Sequence, residues 1–198
     1  MVSLKMNKNS LKNIATEVID LEINALKILK KSINKNFDRA VNLIVDCQSK
    51  IIFCGVGKSG LIAAKIASTF SSVGSPAFSL SANDCLHGDL GSITKKDVLI
   101  LISNSGKSEE IIPIIKFANR NKIKLIGIVS KKNSFLYKAS DIKILLPEVK
   151  ESGLGVVPTS STSIQLAIGD ALAVAALKKK QFSKYDFSRL HPGGNLGK

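Results

Sequence analysis

Few of the residue types that mark secreted, metal-binding or nucleic-acid-binding proteins occur in this chain. Its 198 residues include three cysteines, two tyrosines and no tryptophan. Cys47, Cys54 and Cys85 are odd in number and form no CxxC pair, which argues against a disulfide framework and against a thiolate zinc site. We therefore expect reduced thiols and no metal ligand set.

Arginine is scarce although the chain is strongly basic. The net charge is +14, but the excess is lysine scattered along the chain, and the arginines are Arg39, Arg120 and Arg189. Proteins that bind nucleic acids usually cluster arginine and interleave it with aromatic residues. We therefore expect no nucleic-acid partner, and we interpret the charge as a lysine-rich residue usage with a mild attraction for anionic substrates.

Long apolar runs are absent as well. No such run reaches the roughly 18 residues that a membrane span needs, and the start, MVSLKMNKNSLK, lacks the apolar core of a signal peptide. A composition of 44% hydrophobic and 22% charged residues is typical of a globular domain with a substantial core. The sequence predicts a cytoplasmic protein of one domain, residues 1–198, without membrane contact.

The first fifty residues predict two helices and no strand. The apolar residues of the first helix recur at steps of four and three: Ile14, Val18, Leu21, Ala25 and Ile28. A second apolar pattern covers residues 37–45. An amphipathic helix needs a surface to cover. We expect residues 1–50 to pack on their own domain or on a neighbouring subunit, with some part in oligomer contacts.

From Ile51 onward, short apolar runs alternate with helical segments. The predicted strands are residues 51–54, 77–80, 98–103, 124–129 and 142–146, and the predicted helices are residues 59–72, 108–120, 134–139 and 161–180. Strands that are apolar on both faces and separated by helices indicate a parallel sheet covered on both sides. We predict an α/β fold, a three-layer αβα sandwich, with ligands beyond the carboxyl ends of the strands.

The turn after the third predicted strand, SNSGKSEE, is typical of a phosphate site. Free backbone N–H groups and the positive end of a helix dipole point into such a turn. Short donors are added by Ser103, Asn104, Ser105 and Ser108. We expect a phosphate monoester there. The alternative is an ordinary N-cap serine with a turn glycine.

The turn after the first predicted strand, GVGKSG, resembles a nucleotide P-loop only superficially. A P-loop needs a glycine five positions before the glycine of GKS, and that position is Ile52. Gly57 and Ser59 flank Lys58 at the helix entrance, where the lysine can meet an anion or an oxyanion. The alternative is an exposed lysine on a turn.

Other ionisable candidates follow later strands. His87 lies in the loop of residues 81–91, and Glu151, a candidate base, precedes a second hydroxyl-rich helix start. That start contains Thr159, Ser160, Ser161 and Thr162. His191 begins the glycine-rich tail HPGGNLG. The alternatives are an exposed loop histidine, a solvated carboxylate and a disordered terminus.

In order and spacing, the motifs GVGKSG, LHGDLG, SNSGKSEEI, PTSST and HPGGNLG resemble the sugar isomerase (SIS) domain family, and within it the arabinose 5-phosphate isomerases. The resemblance implies a flavodoxin-like five-stranded parallel sheet and interconversion of D-ribulose 5-phosphate and D-arabinose 5-phosphate. This reaction is the first step toward Kdo of lipopolysaccharide. It also implies homotetramers with shared active sites. Alternatives are an isomerase of hexulose or heptulose phosphates and a sensor that binds without turnover.

The resemblance also implies roles for individual residues. The catalytic set is Lys58, Glu110, Glu151, His191 and His87, and the substrate-binding set adds Gly57, Ser59, Ser103, Asn104, Ser105, Ser108 and Thr159 to Thr162. Glu151 is expected to shuttle the proton with a pKa raised by partial burial, and Lys58 to stabilise the oxyanion. The roles of Glu151 and His191 could be exchanged. No cofactor is needed.

The chain departs from the usual family pattern in several places. Lys107 replaces a glutamate in the phosphate turn, and the loop after Glu151 is one residue shorter. The paired CBS domains that follow the HPGG motif in many members are not expected here, because the sequence stops at Lys198. We therefore expect a minimal catalytic form.

Overall fold

The computed structural model describes residues 10–193. The strands are β1 Ile51–Gly55, β2 Ala77–Ser81, β3 Val98–Ser103, β4 Lys124–Val129 and β5 Ile142–Leu145. The helices are α1 Leu11–Ser32, α2 Lys35–Val45, α3 Lys58–Ser72, α4 Ala82–Cys85, α5 Ile111–Arg120, α6 Phe135–Ala139, α7 Gly153–Val156, α8 Ser160–Lys179 and α9 Lys184–Leu190, with a short 3-10 helix at Asp89–Ser92.

The five strands form one parallel sheet in the order β2-β1-β3-β4-β5. One face packs against α1, α2, α3 and α8, and the other packs against α4, α5 and α6. The predicted three-layer fold is confirmed, and each predicted strand lies within one residue of the observed bounds. The central strands are recognisable because side chains are buried on both faces, as in the six buried residues of β3.

The N-terminal helices cover one face of the domain. Helix α1 packs against α8, while α2 packs against α8 and β5. Ala25 and Leu29 are the buried residues of α1, whereas Ile14 and Ile28 of the predicted seam are 44% and 39% exposed. The contact face therefore follows the predicted seam at Ala25 and departs from it at Ile14 and Ile28, and much of the apolar surface of α1 is not covered by the other described residues.

Helix α8 is the central helix of that face. Of the helices that the structure describes, it is the one long and apolar enough to cross a membrane, with a mean hydropathy of 1.3, but half of this stretch is buried. Its buried residues pack against α1, α2 and α3. These contacts are those of a core helix in a globular domain.

Several short elements were not expected from the sequence. Helices α4 and α7 have four residues each, and α9 has seven. These segments are too short for an apolar repeat to reveal them. Side-chain caps mark two of them, because Ser81 caps α4 and Ser183 forms a capping box with Asp186 at α9.

Candidate active site

The carboxyl edge of β1 and β3 is the topological switch point of the sheet. These strands are neighbours, and Gly55 pairs with Ile102. The chain then turns from β1 to α3 on one face, and from β3 to α5 on the opposite face. In open α/β sheets ligands bind in the crevice that this divergence creates. Lys58 and the turn of residues 103–110 lie there, so the structure brings these two predicted groups together.

The first turn of α3 is pressed against the end of β1. A Cβ on Gly55 would lie 2.8 Å from the carbonyl carbon of Ser59 in that turn, so a side chain cannot be accommodated there. Gly57 adopts φ +57°, which is the left-handed region that favours glycine. The helix start has no side-chain cap, and Lys58 is exposed beside it. This arrangement offers a cation and open backbone N–H groups to an anion.

The turn of residues 103–110 is shaped by its own polar groups. The Oγ atom of Ser103 accepts a hydrogen bond from Gly106 N at 3.0 Å, and Asn104 Oδ1 accepts one from Ser130 Oγ at 2.7 Å. Gly106 O in turn accepts from Leu136 N at 3.1 Å. Ser103 and Asn104 therefore hold the turn in place.

Other donors of this turn remain open. The start of α5 has no side-chain cap. Among the hydrogen bonds of the described residues, none engages the backbone N–H of Ser105, Ser108 or Glu109 as a donor. These groups, with the hydroxyls of Ser105 and Ser108, can bind the oxygens of a phosphate.

The start of α8 is occupied by Glu151. Glu151 Oε2 accepts hydrogen bonds from Thr159 N at 2.9 Å, from Ser161 N at 3.3 Å and from Thr159 Oγ1 at 3.3 Å. Thr162 Oγ1 donates to Thr159 O at 2.8 Å. The resemblance implies that Thr159 to Thr162 bind the substrate, but at this helix start a carboxylate of the chain itself already accepts from the backbone of Thr159 and Ser161.

This environment also reverses the expected pKa shift. Burial of the Glu151 carboxyl opposes ionisation, but hydrogen bonds from Ser161 and Thr159 outweigh that effect and lower its pKa from the ordinary value of 4.5. The prediction of a pKa raised by partial burial is wrong. Glu151 is therefore a carboxylate at neutral pH, held by the positive end of α8.

Two neighbours of Glu151 have unusual conformations or surroundings. The Oγ atom of Ser160 is buried and has no hydrogen-bond partner among the described residues. Leu154, in α7, has φ +62° and is fully exposed. An antiparallel bridge from Ser152 to Val157 closes this turn. The segment between Glu151 and α8 is thus a tight, strained loop with an apolar tip.

Glu110 and His87 also lie at the carboxyl edge of the sheet. Glu110 is half-buried at the N-cap position of α5. Among the ion pairs of the described residues, none joins it to Lys58. His87 is exposed in the turn between α4 and the 3-10 helix. Within residues 10–193, no hydrogen bond or ion pair engages either side chain.

His191 is not brought to the other candidates within one chain. Helix α8 carries the chain to the opposite edge of the sheet, where Lys180 Nζ donates to Ser75 Oγ at 2.8 Å ahead of β2. His191 ends α9, where its ring stacks on Phe187 at 3.9 Å and Nδ1 lies 2.8 Å from Phe187 O. The remainder of the HPGGNLG motif, from residue 194, lies outside the described residues.

Sequence reasoning missed Gln165. This residue is 1% exposed in the second turn of α8, and its Oε1 accepts a hydrogen bond from Ser59 Oγ at 3.1 Å. The available signal was a polar residue between Ile164 and Ile168, both of which are buried. An amide at such a position requires a partner.

The three thiols are unpaired, and two of them lie together. Cys54 and Cys85 are buried beside each other at the ends of β1 and α4. A hydrogen bond to Cys85 and burial raise the pKa of Cys54 far above its ordinary value, so Cys54 is a neutral thiol.

Within residues 10–193, no group of three or more His, Cys, Asp or Glu side chains could hold a metal ion.

Comparisons with known proteins show which family this chain is similar to. The family model of the SIS domain matches residues 44–175. The arabinose 5-phosphate isomerase KdsD of Yersinia pestis is 45% identical over 183 residues, which are 92% of this chain and 56% of that protein. An uncharacterized protein of Rickettsia prowazekii, RP505, is 40% identical over 97% of this chain and 60% of its own length.

A solved structure agrees closely with this fold. The protein c3406 of E. coli CFT073, in complex with arabinose 5-phosphate, has a TM-score of 0.90 and 36% identity, covering 94% of this chain and 100% of that chain. The chain spans about three fifths of the length of the curated relatives it matches, from 56% to 60% in the two named above.

Proposed function

The chain belongs to the SIS domain family, and from this premise we propose that it is an aldose–ketose isomerase acting on D-ribulose 5-phosphate and D-arabinose 5-phosphate. Support comes from the Yersinia pestis relative, whose name states this activity, and from the related structure that holds arabinose 5-phosphate. The proposal concerns the activity of the protein as a whole.

The observation that carries the proposal is the pairing of two open helix starts at the switch point. The N-terminus of α5 and its turn provide phosphate donors, while the uncapped start of α3 places Lys58 across the crevice. A phosphate bound at one start leaves the sugar carbons facing the other. A five-carbon sugar phosphate has a phosphate at one end and a reactive carbonyl at the other, which suits this geometry.

The reaction moves a carbonyl between C2 and C1. A base removes a proton from C1 of the ketose, which makes the C2 oxygen the oxyanion of an enediolate. The base then returns a proton to C2, and the C2 oxygen takes the proton that the C1 hydroxyl loses, which gives the aldose. Lys58 stabilises the developing oxyanion electrostatically. Glu151, ionised at neutral pH, is the base, and its low pKa makes it a moderate one. Glu110 orients Lys58 or a sugar hydroxyl.

The second part of the proposal is a homotetramer with shared active sites. The ring of His191 packs on Phe187 of its own helix, and that helix has no buried residue. Ile19, Ile23 and Leu26 are exposed on α1 at steps of four and three, the spacing of a helix–helix seam. Association through such surfaces would let a neighbour supply His191, which would handle hydroxyl protons together with His87.

The remaining parts of the proposal concern the setting of the enzyme. We place it in the cytoplasm, at the first step toward Kdo of lipopolysaccharide. We assign residues 1–50 to the same domain as the sheet, since α1 and α2 both pack on α8.

The test is to incubate the purified protein with D-ribulose 5-phosphate without added cofactor or metal. Formation of D-arabinose 5-phosphate is measured by NMR. We expect approach to an aldose–ketose equilibrium, and a loss of at least ~100-fold in kcat for Lys58→Met. Lys124→Met is the matched control, because Lys124 is an exposed lysine at the start of β4, on the opposite edge. Saturable thermal stabilisation without turnover would contradict the isomerase and favour a sensor.

Sharing of sites has its own test. Lys58→Met and His191→Ala are each expected to be inactive, and mixed oligomers are expected to regain activity if one subunit supplies the lysine and another the histidine. No recovery after mixing and refolding together would contradict shared sites, while the single-variant losses would still report on each residue.

A further inference from the structure

Gln165 and Ser59 form a buried polar contact between two helices of the proposed site. Their side chains meet at 3.1 Å although the residues are 106 positions apart in the chain. Gln165 is 1% exposed and lies among the apolar residues that pack α8 on α3. A buried amide is costly unless it is hydrogen-bonded, and the bond from Ser59 satisfies the side-chain oxygen of Gln165.

The contact acts on the turn that carries Lys58. Ser59 directly follows Lys58 at the start of α3, and no side chain caps that start. The hydroxyl of Ser59 donates to Gln165 Oε1. The first turn of α3 is therefore held from one side by the end of β1 and from the other side by α8.

The same face of α8 also holds Glu151. Ser161 lies four positions before Gln165, and residues at this spacing are neighbours on one helix face. Ser161 is 3% exposed, and its backbone N–H donates to Glu151 Oε2 at 3.3 Å. One rigid helix thus contacts both the Lys58 turn and the carboxylate proposed as base.

We infer that Gln165 is a positioning residue, which acts through Ser59 to set the place of Lys58 relative to Glu151. The inference rests on the proposed function, since it assigns a task to Gln165 within that reaction. Small displacements of a reacting group lower kcat strongly. Loss of the Gln165 contact should therefore reduce kcat, with little effect on phosphate binding at the start of α5.

The test is a double-mutant cycle with Gln165→Met and Ser59→Ala, read in kcat, KM and Tm. We expect each single variant to lose about tenfold in kcat with KM within about twofold of wild type, and the double variant to lose no more than either single one. Gln48→Met is the matched control, because Gln48 is exposed beyond the end of α2, and its kcat should be unchanged.

Several outcomes would overturn the inference. Additive losses in kcat would mean that Gln165 does not act through Ser59, and a rise in KM for Ser59→Ala alone would make Ser59 a direct substrate contact. If Gln165→Met does not fold, Ser59→Ala decides, since unchanged kcat in that folded variant rejects the inference.

Failure of the proposed function gives a different result. Wild-type protein would then show no turnover, and the inference would fall with the reaction that it serves. Failure of the inference alone would leave wild-type turnover intact, with kcat unchanged or additively lowered in the variants.

Discussion

Two helices of this protein start in hydroxyl-rich turns at the carboxyl edge of the same sheet. At α5 the N-cap position carries no side-chain cap, and several backbone donors of its turn have no acceptor among the described residues. At α8 the carboxylate of Glu151 accepts hydrogen bonds from Thr159 and Ser161. One start is open to an external anion, whereas the other holds an anion that the chain supplies.

The difference shows that serine and threonine content does not by itself identify a phosphate site. Both turns have the donors and the helix dipole that attract an anion. What separates them is whether a carboxylate from another segment reaches the helix start. At α8 this carboxylate comes from a residue eight positions before Thr159, across the α7 turn.

The largest expected effect comes from changing Glu151, which occupies the start of α8. Glu151→Gln should lower kcat by at least ~100-fold with little change in KM, because an amide cannot accept the proton. The amide oxygen can still accept a hydrogen bond from the start of α8, so the fold should persist. Thr159→Ala is the control, since it removes a cap contact and leaves the carboxylate. A Glu151→Gln enzyme with near wild-type kcat would remove Glu151 from the role of base.

The second prediction places a carboxylate in the open turn that precedes α5. Ser105→Asp should raise KM by about 10- to 100-fold, because an anion in this turn competes with the phosphate for its charge-assisted hydrogen bonds. Steady-state kinetics measure this change, and Ser105→Asn is the neutral control of similar size. An unchanged KM in the aspartate variant would show that the phosphate binds elsewhere.

A smaller effect distinguishes the two starts without turnover. Inorganic phosphate at ten times its Kd should stabilise the protein by about 1.4 kcal/mol, which corresponds to a few degrees in Tm. Chloride at equal ionic strength is the control. The shift should vanish in Ser105→Asp and persist in Thr159→Ala. If Thr159→Ala loses it and Ser105→Asp keeps it, the assignment of the two starts is reversed.

The smallest effect concerns pH. The pKa of Glu151 is lower in the folded protein than its ordinary value of 4.5, so its contacts contribute stability above that value, and this is lost as pH falls through the folded pKa. Wild type should therefore exceed Glu151→Gln in Tm at pH 7, by an amount that disappears in acid. The pKa of Asp97 is also lowered, so its contribution to stability is lost in acid in both proteins. The difference in Tm between them therefore reports on Glu151. A constant difference in Tm from pH 7 to pH 3 would contradict this assignment.

Local sequence patterns predicted the parts of the fold that depend on neighbouring residues. Strand β3 was recognisable because its residues are apolar in sequence and are buried on both faces of the sheet. The start of α5 was predicted at residue 108 but lies at Ile111, because the turn that precedes it has no regular pattern. Helices of four to seven residues gave too few repeats to be detected.

The sequence by itself determined the alternation of strands and helices, the turns that end β1 and β3, and the residue types at the edge of the sheet, because each depends on side chains close in the chain. Only the tertiary structure decided that Glu151 fills the start of α8, that Gln165 holds Ser59 and that His191 lies apart from Lys58. These relations depend on how α8 crosses the sheet. The balance between burial and hydrogen bonding, which lowers the pKa of Glu151, exists only once those segments have packed together.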